Sequence, residues 1–179
     1  MALFVLVSFF PSPLFAREAV LANIAVAKDE QHLLVGFTVK DCFTEDMEKA
    51  IHAGINVTLT FFFEVNEIRK WWWDRGIAYV KKSHHIEYDS LKRDYVVTLT
   101  EGSGKPVRLK DFMEAKRLMS RIIDLKVAAL HELGDGRHFQ VRMMAELDKI
   151  KLPFNLHSVL FFLSLWDFET EWYTVDFTY

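Results

Sequence analysis

With 179 residues, 51% of them hydrophobic and 15% aromatic, the chain has the apolar content of a folded domain, which excludes a disordered, collagen-like or low-complexity protein. Its 22 basic and 25 acidic side chains leave a formal net charge of −3, the opposite of a nucleic-acid binder's basic footprint. The single cysteine, Cys42, excludes an internal disulfide and a cysteine-rich zinc site.

The first sixteen residues, MALFVLVSFFPSPLFA, carry no charged side chain. A mainly apolar run from Ala2 to Phe10 is broken by Pro11-Ser12-Pro13 and followed by Leu14-Phe15-Ala16. That order predicts a secretory signal peptide cleaved after Ala16, hence an exported protein. The competing reading is a first buried element of the fold. The run is too short for a spanning helix, which needs about 20 apolar residues. Residues 17–179 are then expected to form a single β-rich domain large enough to need no disulfide.

Strict alternation dominates the chain beyond the leader. A strand is predicted over 20–27, and Lys28-Asp29-Glu30-Gln31 supplies turn chemistry. In the next run Leu33, Val35, Phe37 and Val39 share one face. Thr44 is placed to cap a helix over TEDMEKAIHAG, with acidic residues in its first turn and Gly54 at its end. Over 56–65, Val57, Leu59, Phe61, Phe63 and Val65 line one side of a strand. Strands at 77–88 and 94–100 flank the turn Asp89-Ser90-Leu91-Lys92, and Glu101-Gly102-Ser103-Gly104 forms a hairpin loop.

Asp111, with Glu114 three residues later, reads as a capping box. The helix behind it carries an apolar stripe of Phe112, Ala115, Leu118, Met119 and Ile122. Next come a strand at 125–130, a turn at Gly134-Asp135-Gly136 and a strand with Phe139, Val141, Met143, Ala145 and Leu147 on one face. A third helix is expected from Pro153 through LHSVLFFLSL, either buried against the sheet or lying on a partner or membrane, before a last strand over 172–179. Short connectors favour antiparallel neighbours. The fold class is α+β and β-rich, an antiparallel β-sandwich-like arrangement of about eight strands with two or three short helices.

Tests for chemistry fail one after another. His84 and His85 are adjacent on a strand, so their side chains point to opposite faces. HELGDGRH lacks two histidines four apart on a helix, the zinc-protease requirement. There is no GxSxG nucleophile elbow, and Gly102-Ser103-Gly104-Lys105 has the wrong spacing for a phosphate loop. Scattered carboxylates such as Glu64, Glu67 and Asp74 form no pattern. No catalytic, metal or cofactor-binding residue is assigned and no cofactor is implied, so the chain is read as non-enzymatic. A hydrolase would require a cluster of His, Asp or Ser in one concave pocket.

The most unusual segment is EIRKWWWDRG, where three of the five tryptophans are consecutive. Three readings compete for it. The indoles plug a corner of the sandwich, with Arg69 or Arg75 stacked on a ring; they form a protein-contact hot spot, a role in which Trp and Arg dominate; or they sit at a membrane surface, where an indole is apolar in body and wet at its N–H. The candidate interaction patch is therefore Arg69, Trp71, Trp72, Trp73 and Arg75, with protein contact favoured over membrane-surface contact. An alternative function is a small-molecule or lipid-binding module, using a groove between sheet and helix lined by Phe61, Phe63 and Phe112.

The order of these pieces is informative too. A signal-type leader precedes LLVGFTV, the Gly54-Ile55 helix end enters a long apolar strand, and RKWWWD leads to IEYDSLKRDYVV. A capping-box helix, a DG hairpin and Leu152-Pro153 come after them. This order resembles the short bacterial proteins of the domain of unknown function 4390 family over nearly all of the mature chain. The most specific stretches are Arg69 to Asp74, Tyr88 to Tyr95 and Leu152-Pro153. The resemblance implies an envelope protein of Gram-negative-type bacteria, associated with envelope or membrane signalling proteins, and carries over no site residue.

Overall fold

The computed structural model describes residues 19–102, 104–148 and 168–179. The expected leader at 1–16 and the expected helix from Pro153 lie outside the described residues. Within them, nine strands form two antiparallel sheets. The smaller has the order β1-β2-β7, built from β1 (Val20–Lys28), β2 (His32–Lys40) and β7 (Arg121–Ala129). The larger has the order β6-β5-β4-β3-β8-β9. Its strands are β3 (Val57–Glu67), β4 (Arg75–Asp89), β5 (Asp94–Leu99), β6 (Val107–Leu109), β8 (His138–Leu147) and β9 (Tyr173–Thr178). Eight of these match the expected strands. The ninth, β6, is three residues long just after Pro106, too short for a period-two signal.

The alternating faces predict the core. Leu33, Val35, Phe37 and Val39 of β2 face Val57, Leu59, Phe61, Phe63 and Val65 of β3, and all nine are buried in one cluster. Phe37 joins the two sheets directly, its ring centroid 5.8 Å from that of Phe61 and 5.6 Å from that of Phe63. The inward set of β8, from Phe139 to Leu147, belongs to the same cluster.

The helices carry the chain between the sheets. Helix α1 (Glu45–His52) leads from β2 to β3, with the Thr44 hydroxyl accepting from the Met47 amide at 3.3 Å. It closes on Gly54 at φ +89°, a left-handed turn that suits glycine, and the Ile55 amide donates back to the Ala50 carbonyl. Helix α2 (Phe112–Met119) leads from β6 back to β7, capped by Asp111 through the Met113 amide at 2.6 Å.

Helix α2 is shorter than its apolar stripe predicts. It stops at Met119, and Ile122, expected on the helix, is buried in β7 opposite Phe37. Sheet pairing decides the point: the Ser120 carbonyl accepts from the Val39 amide at 2.8 Å, and the β-branched pair Ile122-Ile123 suits the strand that begins there. Strand β7 therefore starts at Arg121, four residues before the expected position.

Candidate functional site

Strands β3 and β4 pair antiparallel out to Glu67↔Arg75, and the chain between them forms a loop over 68–74. This loop holds the tryptophan triplet. It bends over 70–72, so the three indoles do not alternate between two faces as they would on an extended strand. Trp71, Trp72 and Trp73 are 90%, 77% and 91% exposed. No corner is plugged, and none of the three makes a hydrogen bond or ring contact with the described residues.

The arginines at the base of the loop are not stacked on the indoles either. They converge on Glu67, which is buried at the end of β3. Its carboxylate lies 3.3 Å from Arg69 Nη2, 3.2 Å from Arg75 Nε and 3.0 Å from Arg137 Nη1. The Arg69 hydrogen bond, with the charges of Arg137, Arg69 and Arg75, outweighs desolvation and holds the Glu67 carboxyl below its ordinary range. The Asp74 carboxylate accepts from the Arg69 amide at 3.2 Å and closes the loop. One buried carboxylate thus gathers three guanidiniums beneath three solvated indoles.

A second cluster lies inside the fold. His84, fully buried on β4, has Nδ1 2.7 Å from the Met119 carbonyl oxygen and Nε2 2.6 Å from Glu101 Oε1. Its ring packs edge-on against Phe61 at 4.6 Å. Burial pushes the Glu101 carboxyl up, but the hydrogen bond and charge of His84 win, and it is held below the ordinary glutamate range. His85 points outward as the alternation predicts, with Nδ1 2.8 Å from the Thr58 hydroxyl. A third cluster sits at the end of α1, where His52 stacks on Tyr88 at 4.6 Å and hydrogen-bonds the Tyr95 hydroxyl. Among the described residues no three His, Cys, Asp or Glu gather as a metal site.

The family model described as a domain of unknown function, DUF4390, matches residues 16–176 of this chain. The chain belongs to the DUF4390 family. Neither the curated proteins nor the solved structures yielded a match.

In this DUF4390 chain Phe61 and Phe63 do not line a groove among the described residues. Both rings are fully buried against Phe37, and Phe112 packs on Tyr95 and Phe43. A depression between sheet and helix lies toward the short edge strand, lined by Leu99, Leu109, Leu118 and Ile123 with Arg117 and Glu101. At the DUF4390 tip the tryptophans and two of the arginines were visible in the sequence, whereas the third, Arg137, was not. Glu67 stood out only as a scattered acid. Its pairing with Arg69, two positions away, was not anticipated, and its pairing with Arg137, seventy positions away, has no local signal.

Proposed function

We propose that this DUF4390 chain is a non-enzymatic interaction domain of the bacterial envelope, exported to the periplasm and working by contact through the β3–β4 tip. The observation that carries the reading is the exposure of all three indoles of Trp71 to Trp73, each more than three-quarters open to solvent. Three large apolar side chains exposed together on one short loop of a folded domain mark a contact surface. The signal-type leader supports export. The polar clusters with most chemistry in them, His84–Glu101 and His52–Tyr95, are engaged in hydrogen bonds that tie strands to helices. Envelope or membrane signalling proteins are the partner class in keeping with the family resemblance, and a contact element at the membrane surface would bring the domain to them.

The test is replacement of Trp71, Trp72 and Trp73 by alanine in the cell. The domain should be exported as before and keep a cooperative melt, yet lose its association with the envelope fraction. Retention of the variant in that fraction at the level of the unaltered protein would refute the assignment of the tip.

A further inference from the structure

We infer that the β3–β4 tip docks on the interface of an anionic phospholipid bilayer, with Trp71 to Trp73 entering the headgroup region and the basic collar lying over lipid phosphates. The inference rests on the reading of the tip as the contact element and names its partner.

Three observations carry it. The first is how the indoles are presented. Rings stacked into one patch would shade one another, but exposures of 90%, 77% and 91% leave almost no mutual cover. The three side chains are splayed from a short loop. A protein hot spot seats such anchors in packed, shape-matched pockets, so splayed indoles would need three separate slots. A fluid interface moulds itself around them, and Trp is the residue enriched there.

The second observation is charge. Arg69, Arg75 and Arg137 meet the carboxylate of Glu67 at the base of the loop, and the loop itself carries Lys70 and Asp74. Lys70 pairs with no described residue. The chain as a whole carries −3, so an anionic surface repels the body and attracts the tip. That asymmetry orients the molecule, and basic residues beside a membrane add to its affinity for anionic lipid.

The third observation is how the tip is held. Glu67 pairs with Arg75 on one neighbouring strand and with Phe139 on the other, and the Ile68 amide donates to the His138 carbonyl at 2.9 Å. The loop therefore joins the two central strands of the larger sheet and is fixed at its base to both neighbours of β3. Among the described residues no helix is long and apolar enough to cross a membrane.

The experiment uses the purified protein with vesicles of phosphatidylethanolamine and phosphatidylglycerol, and vesicles of phosphatidylcholine alone for comparison. Flotation should recover the protein with the anionic vesicles, tryptophan emission should shift to the blue, and brominated acyl chains should quench it. The double variant W71A/W73A should lose about tenfold or more in partitioning, the loss expected when large aromatics no longer leave water. K70Q should lose about fivefold, on anionic vesicles only, and raised salt should weaken binding further. All variants should keep the cooperative melt, within about 5 °C of the unaltered protein.

Two results overturn the inference. One is flotation of W71A/W73A at the unaltered level. The other is failure to float with either vesicle while a photocrosslinker at position 72 joins one specific envelope protein in cells. That second outcome would keep the tip as contact element and reassign its partner. Failure of both flotation and crosslinking would remove the tip reading itself.

Discussion

Replacing all three tip tryptophans by alanine should leave the fold nearly as stable as before, and the structure sets the scale. With exposures of 90%, 77% and 91% and roughly 250 Å² per side chain, folding hides about 25 Å² each of Trp71 and Trp73 and about 60 Å² of Trp72. At about 25 cal/mol per Å² that is about 0.6, 0.6 and 1.5 kcal/mol. The sum is an upper bound, because the unfolded chain already buries part of this surface. At about 2–4 °C per kcal/mol for a domain of this size, the triple variant should melt within about 11 °C of the parent. The contrast is Phe61, fully buried between Phe37 and His84, where Phe61→Ala alone should cost about 3–5 kcal/mol. If the indoles were core, three truncations at that rate would total about 9–15 kcal/mol, as much as the whole stability of a typical domain. Thermal melts followed by circular dichroism, with Phe61→Ala alongside, decide the matter. Loss of the cooperative transition in the triple variant, or a drop larger than that of Phe61→Ala, would refute the reasoning.

Other consequences attach to named side chains. Burial raises the Cys42 thiol to about 12, and its Sγ donates to the Val39 carbonyl at 3.4 Å. It should therefore resist thiol reagents near neutral pH and react at once in denaturant, a difference that mass spectrometry of the alkylated protein reads directly. Glu101 titrates below its ordinary value in the folded state, so its link to His84 stabilises the fold above the ordinary glutamate range and loses that contribution as pH falls through the depressed value. Glu101→Gln should cost about 1–3 kcal/mol at neutral pH and flatten the acid side of the melting profile; a parallel profile would remove the link. At Gly36, in the irregular β2–β7 pairing, an added Cβ would meet the Ile122 carbonyl oxygen at 3.2 Å. Gly36→Ala should therefore destabilise by about 1–3 kcal/mol, and an unchanged urea midpoint would show that the backbone yields there.

Local order was legible wherever its signal is short-ranged. Period-two runs in β2, β3 and β8 specify which side chains are buried, because a strand alternates its faces whatever it packs against. Thr44 and Asp111 mark their helix starts for the same reason, since a cap acts on amides two or three residues away. The oddity of three adjacent tryptophans was equally plain in the chain.

What those tryptophans face was decided by tertiary structure alone. Whether they plug a corner or meet solvent depends on where β3, β4 and β8 end together, and that register lies between distant segments. The same holds for the end of α2, where Val39 of another strand takes the Ser120 carbonyl and turns an apolar helical stripe into a strand. It holds for Glu67, whose third arginine arrives from seventy residues downstream, and for the Glu101 carboxylate that meets His84 in the interior. Side-chain spacing dictates faces and caps through neighbours on the same element; burial, ion pairs and exposure come from contacts across elements, which no local pattern encodes.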